Sequence, residues 1–359
     1  MRGRTATIYA AICTLLLAAG FLVAFFFAQQ AGISAMVWCI VGLAAGFVVA
    51  PIVHEVGHIC FAKAVKMRVV YAKFFCFKLY EKQGKLRLGF ASPFAADQTQ
   101  ALPLCGGNMR KRAKAYTVGG LAFGAVLTVA VAGVATVLSG LGYQAFFVWG
   151  LLPYSAYLLF LNALPCEYAS GKTDMLVYLG LKKGCASEEN MLAAMEIQGL
   201  LSEGNCFAEI EEKLYFSAPQ LAEDEPLFAV MLDLRYRYYL EKNEVAKAGE
   251  CLARLASVQD YLSDTELEKL AAELVYLHSV CGDKENAEKN GAVCQEYLRG
   301  ESVTAKRALA AYSLAFGGES GAENAKLLLQ QAKTLLDNEK IKGVARFEGI
   351  LLSRLQERL

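Results

Sequence analysis

The chain has 359 residues, 55% of them hydrophobic, with a mean hydropathy of +0.33 and a net charge of +1. Up to Gly184 there are 17 Lys and Arg against 5 Asp and Glu, and beyond it 19 against 30, so a basic apolar half precedes an acidic, water-compatible one. The basic residues flank apolar runs and form no stripe interleaved with aromatics, which argues against a nucleic-acid partner. The eleven Cys include no CxxC pair and so offer neither a zinc knuckle nor a disulfide framework.

Thr7 to Ala28 is an apolar run without a charge, long enough to cross a bilayer, for which about 20 residues suffice. Met1-Arg-Gly-Arg resembles the charged start of a signal peptide, but Phe25 to Gln29 makes a poor cleavage site, so a retained span is expected. Further apolar stretches at 34–65, 116–138 and 143–164 bring the expected number of spans to four. The links at 29–34 and 139–143 carry no Lys or Arg, whereas the segment from Val65 to Ala115 carries eleven. Lys172, Lys182 and Lys183 follow the fourth span. Positive residues remain on the cytoplasmic side. Both termini, the 65–115 segment and the C-terminal half are therefore expected inside the cell, with the chain in the cell membrane.

Between the second and third spans, Arg68 to Tyr80 is rich in aromatic and β-branched residues. Glu81-Lys-Gln-Gly84 punctuates it, and Lys85 to Ala91 alternates. A β-hairpin over about 68–91 is predicted, followed by an irregular stretch bracketed by Pro93 and Pro103. After Gly184 the pattern is helical, with breaks near Asn205, Pro219, Asn243, Gly282 and Gly317-Gly318. Ser263-Asp-Thr-Glu266 has the form of a capping box. Three segments, Leu232–Leu255, Leu274–Leu298 and Leu309–Leu336, are weakly self-similar with a period near 40. That suggests stacked helix pairs of the tetratricopeptide type, with a plain helical bundle as the alternative. The expected architecture is all-α: a polytopic membrane bundle over 1–184 with a small β-hairpin, then a soluble helical domain over 185–359 that binds a protein partner.

The chemistry lies in His54-Glu55-Val56-Gly57-His58. Residues four apart share a helix face, so both imidazoles can reach one ion, with Glu55 beside it as a proton acceptor. Only three His occur in the chain, and two flank this Glu. Ionisable groups in a membrane span are costly, so function is the default reading of this cluster. The third His, His278, sits beside Tyr276 and Leu277 and reads as structural. A catalytic zinc takes three protein ligands and a water. The missing ligand must be an acid near the end of the fourth span, which leaves Asp174 or Glu167.

His54-Glu55-x-x-His58 in an early span, followed by Asn162-x-x-Pro165 and Asp174, resembles the site-2 protease family of intramembrane zinc metallopeptidases. The resemblance covers Ala35 to Leu179, about two fifths of the chain. It implies His54, His58 and Asp174 as ligands of Zn²⁺, Glu55 as general base, and Asn162 in contact with the substrate or transition state. Gly119-Gly120, after Arg110-Lys-Arg112, resembles the small-residue element of the family's central helix, although Gly also lets membrane helices approach closely. One departure stands out. Asp174 lies nine positions beyond Pro165 and is followed by Met175, where the family has a shorter spacing and a Gly. The resemblance implies an endopeptidase that cleaves transmembrane or membrane-proximal segments of other proteins, with the hairpin holding a loosened segment as an added strand. The alternative is an inactive membrane adaptor that keeps a metal site and a helical protein-binding domain.

Overall fold

The computed structural model describes residues 4–82, 85–92, 98–104, 107–168, 171–258 and 262–359. The chain forms two compact units, Met1–Glu188 and Glu189–Leu359.

In the first unit the apolar runs become helices α1 (Arg4–Ala31), α2 (Ile33–Ala64), α3 (Met109–Gly140) and α4 (Phe146–Ala163). All four are long and apolar enough to cross a membrane. Large apolar side chains such as Leu15, Phe26, Trp38, Val126 and Val129 face outward. A surface of this kind suits lipid contact and suggests membrane association. At 1.5 Å per residue, α2 and α3 are each about 48 Å long, well beyond the roughly 30 Å of a hydrocarbon core. Helix α2 matches the stretch expected at 34–65 to within one residue at each end, whereas α3 extends past the expected 116–138 and already begins at Met109, where Asn108 caps it by accepting from Lys111 N.

Small residues set how closely the helices approach. Gly57 of α2 and Gly119 of α3 face each other backbone to backbone, and a Cβ on either would collide with the other's carbonyl. Gly42 and Gly150 do the same at the seam between α2 and α4, against the carbonyls of Phe147 and Cys39. Lipid tails give helices no hydrophobic reason to associate, so close packing of this kind supplies the attraction.

The hairpin predicted over 68–91 is part of a larger sheet. Strands β1 (Met67–Phe74), β2 (Phe77–Lys82), β3 (Lys85–Phe90) and β4 (Gln98–Pro103) run antiparallel in the order β3-β2-β1-β4. The aromatic and β-branched stretch 68–80 breaks at Phe75, whose φ of 53° turns the chain so that Phe74 pairs with Phe77. The stretch read as irregular contains β4. Its polar start, Gln98-Thr99-Gln100, hides an edge strand that pairs with β1, and Pro103 stands at its end, where a missing N–H is tolerated. Pro93, and the Gln83-Gly84 part of the predicted turn, lie outside the described residues. β1 and β4 pack on α2, and the register aligns Leu88, Leu79, Ala72 and Thr99 in one row across the sheet.

Beyond α4, two short strands, β5 (Glu167–Tyr168) and β6 (Gly171–Lys172), lead into α5 (Asp174–Lys183) and α6 (Ala186–Glu203). In the second unit α7 (Glu212–Phe216) is followed by α8 (Pro226–Glu241), α9 (Val245–Ser257), α10 (Asp264–Cys281), α11 (Lys284–Val293), α12 (Gln295–Arg299), α13 (Val303–Phe316), α14 (Gly321–Leu336) and α15 (Lys342–Gln356). Helices α8–α9, α10–α11 and α13–α14 pack as pairs and coincide with the three self-similar segments. The Ser263 capping box is formed, with Ser263 N donating to Glu266 Oε2.

Four helices converge on the fully buried Arg307 of α13. Its Nε donates to Glu348 of α15 at 2.7 Å and its Nη2 to Glu273 of α10 at 2.8 Å, while Glu273 also accepts from Tyr236 of α8. The guanidinium lies 4.2 Å from the Tyr276 ring centroid. Arg354 of α15 donates to the terminal carbonyls of α8, Leu240 and Glu241. The inner helices are therefore tied to one another through their own buried charges.

Candidate metal centre

His54 and His58 lie one turn apart on α2, and α5 brings Asp174 to them. His54 Nε2 is 3.2 Å from Asp174 Oδ2, His58 Nε2 is 3.3 Å from the same oxygen, and the two Nε2 atoms are 3.3 Å apart. The ring of His58 is fixed by its other nitrogen. Nδ1 lies 2.9 Å from the carbonyl of Tyr116 on α3. A carbonyl accepts only from a protonated nitrogen, so in the neutral ring the Nε2 lone pair faces Asp174.

These separations fit a metal. A tetrahedral zinc with bonds of about 2.0–2.1 Å places its ligand atoms about 3.3–3.4 Å from one another. Asp174 Oδ2 is buried without a hydrogen-bond partner. Lone pairs converging on one point repel unless a cation or protons lie among them. Gly120 of α3 supplies the room: a Cβ there would lie 2.5 Å from His58 Nε2 and 2.7 Å from His54 Nε2. Among the described residues, His54, His58 and Asp174 form the one group that could hold a metal ion, and Glu167 is not part of it. Glu167 stands in the β5–β6 hairpin opposite Lys172.

The hairpin accounts for the nine-residue spacing. Thr173 N donates to Cys166 O at 3.0 Å, and Cys166 N donates to Thr173 Oγ1 at 3.2 Å, so the chain leaves at Cys166 and returns beside it. The Thr173 hydroxyl donates to Leu164 O at 2.6 Å and caps α5 by accepting from Leu176 N. Asp174 thus occupies the first turn of α5, where helix amides favour a carboxylate, and Lys182 and Lys183 occupy the last.

Comparison with protein-family models, curated proteins and solved structures gave no match. The reading of the centre therefore rests on its own geometry.

Glu55, also buried, accepts from the hydroxyl of Thr99 at 2.5 Å. The Thr99 carbonyl accepts from the hydroxyl of Tyr116, whose own carbonyl faces His58. Glu55, β4, α3 and His58 are joined in one chain of hydrogen bonds. Neither Thr99 nor Tyr116 carries a sequence signal, because their contacts cross 44 and 58 residues. Thr173 was legible in principle, as a Thr immediately before a helix start. Asn162 donates to Leu158 O of its own helix, and that bond does not join it to the three ligand atoms. Gly119 serves packing and Gly120 faces the imidazoles. His278 ends α10 beside Asp283, at 3.1 Å.

Proposed function

We propose that the chain is a zinc-dependent endopeptidase of the site-2 protease kind, acting on transmembrane or membrane-proximal segments of other proteins. The observation that carries this reading is the set of three ligand atoms spaced 3.2–3.3 Å apart, with the buried Glu55 next to His54 on the same helix, in a unit of membrane-length helices. In this reading His54, His58 and Asp174 hold the ion. A zinc ion held there supplies Lewis acidity and a water acidified to near neutral pH. Glu55 accepts a proton from the attacking water and delivers it to the leaving amine. Thr99 holds one carboxylate oxygen, so the other is the one that moves the proton. Asn162, once released from Leu158 O, contacts the substrate carbonyl.

A helical substrate hides its carbonyls and must present an extended segment. The sheet has two edges. A strand added at β3 would lie four strand spacings, about 19 Å, from β4. Addition that brings a scissile bond to Glu55 therefore uses the β4 edge, in competition with Tyr116. The helical unit recruits a protein partner in this reading. In this reading the partner docks at a cleft of about 320 Å³ lined by Val230, Asp233, Lys269 and Leu270 among others.

The test has two arms. Zinc analysis of the purified protein is expected to give one ion per chain, unchanged in Glu55→Gln. Proteomics of cells carrying wild type or Glu55→Gln is expected to show membrane precursors accumulating only with the variant. A wild-type protein without zinc would overturn the metal centre. Zinc without any processing defect in Glu55→Gln would leave the metal-binding adaptor as the better reading.

A further inference from the structure

Asp174 is the ligand that reaches the centre from far along the chain, and three contacts surround it without touching the ligand atoms. Lys172, two residues before it, donates from Nζ to Glu188 Oε1 at 2.7 Å and to Ser187 Oγ at 2.8 Å. The Glu188 side chain is 5% exposed. Its carboxyl rests directly over Gly180 of α5, and a Cβ at that glycine would strike it. Thr173, one residue before Asp174, ties the chain to Leu164 and Cys166 at the end of α4 and caps α5. The β5–β6 hairpin, the first turn of α5 and the start of α6 are thus fastened together within two residues of the ligand.

We propose that Thr173, Lys172 and Glu188 are positioning residues that hold Asp174 at the distance zinc requires; this rests on the metal reading above. The physical case is one of tolerance. A zinc ligand must stand within about 0.2 Å of its ideal distance. His54 and His58 inherit that precision from one rigid helix turn. Asp174 follows a two-stranded hairpin of four paired residues, which has no core of its own. Desolvation of the buried Glu188 offsets much of its attraction to Lys172, so in this proposal the pair contributes through the geometry it holds and not through net stability. Gly180 admits the carboxyl to the α5 surface, so one acid grips both the strand before Asp174 and the helix that begins with it.

The experiment uses the full chain purified in detergent, with zinc affinity measured by chelator competition. Cobalt(II) absorption reads ligand geometry, and thermal unfolding of the metal-free protein reads the fold. Outer-shell partners of metal ligands typically contribute about 10- to 100-fold in affinity. Thr173→Val, Lys172→Glu and Glu188→Lys are each expected to weaken zinc binding by that factor and to alter the cobalt spectrum. Thr173→Ser is expected to restore wild-type affinity, and so is the double exchange Lys172→Glu with Glu188→Lys. Variants that bind zinc as tightly as wild type overturn the proposal. So do losses that follow lowered thermal stability with an unchanged cobalt spectrum, and so does failure of both restoring variants. If the wild type itself binds no zinc, the metal reading and this proposal fall together. If the wild type binds and the variants match it, only the proposal falls.

Discussion

Gly120→Ala places one methyl group against both imidazoles. The new carbon would stand 2.5 Å from His58 Nε2 and 2.7 Å from His54 Nε2, whereas ordinary contact begins at 3.4 Å. The rings, or α3 itself, must therefore give way by about 0.7–0.9 Å, several times the roughly 0.2 Å a zinc site tolerates. His58 has little freedom to move, since its Nδ1 is bound to the Tyr116 carbonyl on the same helix as Gly120. Zinc affinity should fall at least 10- to 100-fold, or about 1.4–2.8 kcal/mol. Gly133→Ala, on the same helix with nothing within 4 Å, is the matched control and should bind as wild type. Zinc per chain after dialysis against a graded chelator series, on protein eluting as a single species, is the assay. If Gly120→Ala retained zinc as strongly as Gly133→Ala, the cradle formed by His54, His58 and Gly120 would be refuted.

Asp174→Asn is expected to lose zinc while Glu167→Gln keeps it, in the same titration; the reverse pattern would reassign the third ligand. In the helical unit, Arg307→Met leaves Glu348 buried without its cation and Glu273 with Arg237 alone, and should cost about 3–5 kcal/mol, read by urea unfolding. Burial tends to raise the Glu273 carboxyl, but Arg307 and Arg237 outweigh it and hold it at about 2. Its folded value thus lies below its unfolded one near 4.3. The stability it confers is complete above about pH 5 and is lost as pH falls toward 2. Unfolding measured from pH 6 to 2 should show that slope in wild type and a flatter one in Glu273→Gln.

What was legible in the sequence is what neighbouring residues encode. The apolar runs specify helices of membrane length, because a backbone in lipid must satisfy its own hydrogen bonds. His54 and His58 share a face because one helical turn separates them. Ser263 and Glu266 close a capping box three residues apart, and the period near 40 marks the helix pairs. Where these local signals competed with pairing at a distance, they failed. Phe75 breaks what looked like one strand, and the polar Gln98-Thr99-Gln100 becomes an edge strand because β1 offers it a partner.

The tertiary structure decided how distant segments meet. It brings Asp174, and not Glu167, to the imidazoles, because Cys166 and Thr173 close a small hairpin and carry the chain back to its starting point. It gives Glu55 the Thr99 hydroxyl and leaves Asn162 bonded to its own helix. It makes Gly120 a cavity for two rings and draws four helices around Arg307. Periodicity and capping are properties of a few adjacent residues. Convergence of groups a hundred residues apart depends on how closely backbones can approach, and glycines at the contacts of α2, α3 and α4 set that distance.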